Sequence, residues 1–169
     1  MTFDESNMRF QYEDESIYCI ESADILAKIK GCKACEFIAL KDNNILVVEA
    51  KSSSPKPQSQ EDFDQYITDI TQKFSDTILL YNAIRIGRHG ELNLNEIPQN
   101  VREIELNNID YCLYLIVHGH QLAWMQPIQD ALKQSLKHLL RLWNIPERNV
   151  KAINEEIALE KGLITEILS

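Results

Sequence analysis

Long apolar runs are missing from this sequence. The one strongly apolar segment, 111–117, is far too short to cross a bilayer, so no membrane partner is expected. No Gly-rich phosphate-binding loop occurs, which argues against a nucleotide-dependent ATPase or kinase. No Gly-x-Ser-x-Gly turn occurs either, which removes the support for a Ser/His/Asp hydrolase. The first ten residues, MTFDESNMRF, are acidic and lack the basic-then-apolar order of a secretion signal. An intracellular, cytoplasmic protein is therefore expected, with Cys19, Cys32, Cys35 and Cys112 as reduced thiols. Cys32 and Cys35 have zinc-knuckle spacing, but no second such pair exists to complete a site.

Positive charge is also short, with 17 Lys and Arg against 26 Asp and Glu and a net charge of −9. Affinity for a phosphate backbone comes largely from counterions released by Lys and Arg, so unaided, non-specific binding to nucleic acid is disfavoured. The imbalance is uneven. Residues 1–24 hold seven acidic side chains against Arg9, whereas 133–151 hold Lys133, Lys137, Arg141, Arg148 and Lys151 against Glu147. A solvated helix face is the plain account of that basic stretch, and a phosphate-facing patch is the other.

What is present fits one domain over residues 1–169, with 44% apolar and 25% charged residues. Short strands are expected over 9–13 and 17–20, then a helix capped by Ser22, running to about Lys30 and ended by Gly31. Strands over 35–41 and 45–50 are joined by Asp42-Asn43-Asn44, residues that tolerate the positive φ of a tight turn. The Ser-, Pro- and Gln-rich segment 52–60 reads as a loop. Phe63, Ile67, Ile70, Phe74, Ile78 and Tyr81 recur at steps of three or four, one apolar stripe on a helix over 61–84. Residues 85–108 read as irregular, with a short strand near 101–106. Segment 111–117 reads as a central strand buried on both faces. Pro127 is expected to open a second amphipathic helix, followed by a strand over 149–153 and an Asn154-capped helix ended by Gly162. This order predicts a mixed α/β sandwich around one sheet.

The 35–50 hairpin carries the chemistry. With Asn43-Asn44 as a two-residue turn, Ile38 opposes Glu49 and Glu36 opposes Lys51. One face then shows Glu36, Ile38, Leu40, Val47, Glu49 and Lys51, and the other Phe37, Ala39, Lys41, Leu46, Val48 and Ala50. Two carboxylates and an amine thus gather at one end of an otherwise apolar face. An ion pair among them at the sheet edge is the structural alternative.

A carboxylate at the start of one strand, a hairpin, and Glu-x-Lys at the end of the next, here Glu36 and Glu49-Ala50-Lys51, resembles the PD-(D/E)XK nuclease superfamily. Position 36 is Glu where that family usually has Asp, and Cys35 stands where it has Pro. The resemblance implies a restriction-endonuclease-like core: a mixed β-sheet flanked by helices. It implies that Glu36, Glu49 and the Ala50 carbonyl hold a divalent metal, Mg2+ or Mn2+, with Glu21 as an additional carboxylate. It implies that Lys51 positions or deprotonates the attacking water. Hard oxygen ligands suit magnesium, which lowers the pKa of bound water.

Other residues are secondary candidates. Lys73 and Gln65, on the long helix, could touch a phosphate, although a solvated helix face accounts for both. Ser52, Ser53 and Ser54 could donate to a phosphate. His118 and His120 have the spacing to share a strand face as a metal pair, without a third ligand. The expected function is metal-dependent hydrolysis of nucleic-acid phosphodiester bonds, DNA ahead of RNA, with a protein partner suggested by the acidic surface. The rival is a catalytically inactive restriction-endonuclease-like module serving interaction or regulation in a larger complex.

Overall fold

A computed structural model describes residues 1–56 and 58–168. The chain opens with a hairpin, β1 (Thr2–Glu5) and β2 (Met8–Gln11), around Ser6 and Asn7 at φ 50° and 59°. Two successive left-handed residues make the turn whose twist matches paired strands. One strand, over 9–13, is expected here; β1 is an addition to it.

β3 (Ile17–Tyr18) follows, with single 3-10 turns over Ile20–Ser22 and Leu26–Lys28. The helix expected from Ser22 does not form. Its hydroxyl donates back to the Cys19 carbonyl (2.9 Å), so no side chain caps the N–H groups ahead.

The central hairpin pairs β4 (Phe37–Lys41) with β5 (Asn44–Lys51). Its turn is Asp42-Asn43, at φ 49° and 59°, one residue earlier than expected, so Lys41 opposes Asn44 and Ile38 opposes Val47. Moving a two-residue turn by one position shifts every partner by two, a full side-chain period. The two faces therefore stay as expected, but Glu36 does not oppose Lys51, and it falls just before β4.

After the loop, of which Pro57 lies outside the described residues, α1 runs over Gln60–Arg85. Its stripe is buried as the periodicity requires at Ile67, Ile70, Phe74, Ile78 and Tyr81. Two short helices, α2 (Gly90–Glu96) and α3 (Gln99–Glu103), occupy the segment expected to be irregular, in place of the strand near 101–106. β6 spans Asp110–Val117 and α4 spans Leu122–Leu142. Pro127 lies inside α4 rather than at its start, where it removes only the donor that the Ala123 carbonyl would have used. β7 (Val150–Asn154) leads into α5 (Glu155–Glu160), which Asn154 caps by accepting the Ile157 N–H (3.1 Å). β8 (Glu166–Ile167) closes the chain against β2.

The architecture is mixed α/β. Five strands lie in the order β3-β4-β5-β6-β7, antiparallel through β5 and parallel from β5 to β7. The smaller sheet, β1-β2-β8, joins the two ends of the chain. Helices α1 and α4 cover one face of the large sheet, burying Ile38, Ile45, Val47, Leu113 and Leu115. The small sheet covers the other face, burying Phe37, Ala39, Leu46, Val48, Ala50 and Ile116. Strand β6 is central but not sealed on both faces, because Cys112 and Tyr114 are only half-buried on the small-sheet side. Among the described residues no helix is long and apolar enough to cross a membrane.

Candidate functional site

The helix-facing row of β5 reads Ile45, Val47, Glu49, Lys51, and Glu49 is fully buried in it. Opposite stands a row on α1 made by Tyr66, Ile70, Lys73 and Thr77, at spacings of four, three and four. Thr77 is also fully buried, and its hydroxyl accepts the Cys35 N–H (2.8 Å). Asp76 accepts the Lys33 N–H (3.0 Å), and Gln72 donates to the Gly31 carbonyl (2.8 Å). These three side chains stitch the segment before β4 to α1 and so hold Glu36 beside Glu49.

The carboxylates meet around an ammonium that the sequence reading assigned to the helix surface. Lys73 Nζ lies 2.9 Å from Glu49 Oε1, 3.0 Å from Glu21 Oε1 and 4.0 Å from Glu36 Oε1. Lys51 Nζ lies 2.7 Å from the same Glu49 oxygen. Glu21 reaches the cluster from a 3-10 turn rather than from a first helix. The ion-paired arrangement is thus present, but at the centre of the sheet rather than at its edge. Oε1 is ion-paired with both ammonium groups, but among the described residues neither Glu49 oxygen has a hydrogen-bond partner, and no ion pair is formed at Oε2. A buried carboxylate oxygen left unpaired is costly unless something else completes it.

The electrostatics follow from crowding. Burial pushes the Glu49 carboxyl up against the pull of Lys73 and Lys51. Burial, then the hydrogen bond shared with Glu21 and the Glu49 charge, push Glu36 up to about 9, so it carries a proton at neutral pH. Burial raises Glu21 too, but hydrogen bonds with Glu36 and Lys73 outweigh it and the net direction is down. Burial lowers Lys73, but Glu49 and Glu21 more than reverse it. Lys73 and Lys51 thus sit where they offset the charge of the crowded carboxyls.

A cleft of ≈ 640 Å³ opens beside it, lined among others by Lys33, Lys51, Ser53, Ser54, Tyr66 and Lys73. None of the three carboxylates lines the cleft; Lys51 and Lys73 both touch Glu49 and both line it. Three amines and three hydroxyls line it together with one carboxylate, Asp69, which pairs with Lys33 (2.8 Å), so that Lys51 and Lys73 supply the positive charge a phosphate would meet. The Tyr66 hydroxyl is buried without a partner, and both burial and the Glu49 charge hold it in the neutral form.

The remaining candidates separate. Ser53 and Ser54 reach the cleft, whereas Ser52 is exposed and does not line it. Gln65 donates to Asp69 at the rim of the cleft (3.2 Å) and itself lies along an acidic hollow with Glu61, Asp62 and Asp64. His118 and His120 do not share a strand face, because β6 ends at Val117 and Gly119 turns at φ 70°. His118 instead continues the backbone ladder, donating its N–H to the Lys51 carbonyl (2.8 Å), while the His120 ring bonds Ser54. Cys19, Cys32, Cys35 and Cys112 carry free thiols.

The Lys51–His118 bond also aims the neighbouring carbonyl. Successive strand carbonyls point to opposite sides, so the Ala50 carbonyl points toward the β4 side. There the ladder has already ended at the pair Phe37–Val48. The Glu21, Glu36 and Glu49 carboxylates with this carbonyl are all hard oxygen donors, and the orphaned Glu49 Oε2 fits a hard divalent cation. As they stand they are spaced around an ammonium. Among the described residues no group of three or more His, Cys, Asp or Glu side chains stands in metal-holding geometry. Comparison with protein-family models, with curated proteins and with solved structures found no match for this chain.

Proposed function

We propose that this chain is a metal-dependent phosphodiesterase with a PD-(D/E)XK, restriction-endonuclease-like core, hydrolysing nucleic-acid phosphodiester bonds and DNA first among them. The observation that carries the reading is Glu49: a fully buried carboxylate with one oxygen unpartnered, beside Lys51 (2.7 Å) and next to a lysine-lined cleft.

Glu49, Glu36, Glu21 and the Ala50 carbonyl would hold Mg2+ or Mn2+. A divalent ion there supplies Lewis-acid activation of water and neutralises charge developing on the phosphate. Lys51, which lines the cleft with its ammonium against Glu49, is placed to orient the attacking water and to offset charge developing on the phosphate. Ser53 and Ser54, which line the same cleft, are placed to donate to phosphate oxygens, Ser54 on release of its bond to His120. The net charge of −9 leaves little long-range attraction for duplex DNA, so a protein partner or a narrowly shaped substrate belongs to this reading.

The test is cleavage of labelled single- and double-stranded DNA with Mg2+ or Mn2+ by the protein and by Glu49→Ala and Lys51→Ala. Cutting that needs the metal and falls by about a hundredfold or more in both variants supports the proposal.

A second reading is favoured by one observation: Lys51 and Lys73 already neutralise Glu49 without any cation. On that reading the cluster is a buried ion-pair network in a catalytically inactive module that serves interaction or regulation. Absence of cutting by all three proteins, together with no metal binding by calorimetry, would select it.

A further inference from the structure

Lys73 joins two features that a surface lysine does not combine: the carboxyl cluster and the cleft. Its ammonium is within 4.0 Å of three carboxyl groups, its side chain is only 15% exposed, and the same side chain lines the cleft. Its contacts of 2.9–4.0 Å are those of an ammonium, whereas magnesium needs oxygens at about 2.0–2.1 Å. The carboxylates are thus spread around a group too large to be replaced by a metal without inward movement. A divalent ion and the Lys73 ammonium cannot share that space. At that separation the two like charges repel strongly even where solvent screens them.

We propose that Lys73 is a displaceable counter-ion: it fills the cation seat in the metal-free chain, and an entering divalent ion turns it out into the cleft, where its ammonium holds a non-bridging phosphate oxygen of the scissile diester. This rests on the phosphodiesterase reading above and adds a residue to it. The displacement needs only side-chain rotation, because the lysine stem already borders the opening and carries four rotatable bonds. Glu49 keeps Lys51 as its companion when Lys73 leaves. Lys73 so has two stations, each with an anionic partner, and one ammonium serves both the resting and the loaded site.

The test is Mn2+ titration by calorimetry into the protein, Lys73→Met and Lys73→Gln, with far-UV dichroism and urea midpoints confirming that each is folded. The glutamine variant retains a hydrogen-bond donor should the methionine variant not fold. Removing the competing charge should tighten Mn2+ binding by about tenfold or more. Cleavage of labelled DNA at saturating Mn2+ should nevertheless fall by about a hundredfold, in kcat more than in KM. Unchanged or weaker Mn2+ binding in folded variants that follow a metal-binding wild type overturns this inference and leaves the phosphodiesterase reading intact. Tighter binding with undiminished cleavage overturns the phosphate-holding role. Failure of wild type and both variants to bind Mn2+ overturns the metal reading itself, and this inference with it.

Discussion

The two faces of the large sheet are built from alternate residues of the same strands, yet they obey different rules. On the small-sheet face Phe37, Ala39, Leu46, Val48 and Ala50 meet Met8, Phe10 and Ile164, and the buried contacts are apolar throughout. Phe37 alone touches three aromatic rings, Phe3, Phe10 and Tyr12, at centroid distances of 5.2–5.5 Å. On the helix face the same strand β5 replaces the next apolar residue with Glu49, and α1 answers with Lys73. A core built only for stability would treat the two rows alike, since a buried ion pair is at best weakly stabilising against a hydrophobic replacement. The charged row is therefore the one that stability alone does not account for.

The sharpest way to break that contrast is to move the charge by one residue. Val48→Glu puts a carboxylate on the apolar face, where no cation is within the buried cluster. Urea denaturation should show a loss of about 4 kcal/mol or more, or no folded protein. Phe37→Ala empties the aromatic centre of the same face, and an expected loss of about 3–5 kcal/mol is read from the same experiment. The reciprocal change should be mild. Glu49→Met together with Lys73→Met on the helix face should leave stability within about 1 kcal/mol of wild type or raise it, because the whole buried pair is exchanged for apolar contact and Lys51 is free to turn toward water.

A smaller effect sharpens the comparison through pH. Glu36 is pushed from the ordinary 4.5 up to about 9 in the fold. A raised acid favours folding while protonated, so its contribution is complete below about pH 4.5 and is lost as pH rises toward 9. Glu36→Gln removes that loss. After allowing for partial solvent screening, the variant should exceed wild type by about 1 kcal/mol at pH 8.5, or about 2–4 °C in Tm, with little difference at pH 5. Thermal melts across that range check the sign.

The sequence made some of this readable and hid the rest for identifiable reasons. Face assignment on the hairpin survived a wrong turn because Asp42, Asn43 and Asn44 offer two frames for one left-handed pair, and the frames differ by a full side-chain period. Alternation therefore placed Glu36, Glu49 and Lys51 together on the α1 side even though their register was off. The small sheet was not readable, since β1 alternates exposed and half-buried residues and β2 finds β8 at the other end of the chain. Pairing of such distant segments leaves no local periodicity. Helices α2 and α3 were hidden by Gly87, Gly90 and Pro98, which read as breakers but stand at or before the helix starts. Lys73 did carry a signal. It lies three residues after Ile70 and four before Thr77, on the sheet-facing row, so its spacing and not its charge gave its direction.

Mn2+ titration into wild type and Glu49→Gln by isothermal calorimetry tests the central claim most directly, because it asks whether the one buried charge of the sheet is there to hold an ion. The account predicts one ion bound per wild-type chain and affinity at least about tenfold weaker in the variant. No binding to the wild type, or equal binding to both, would contradict it.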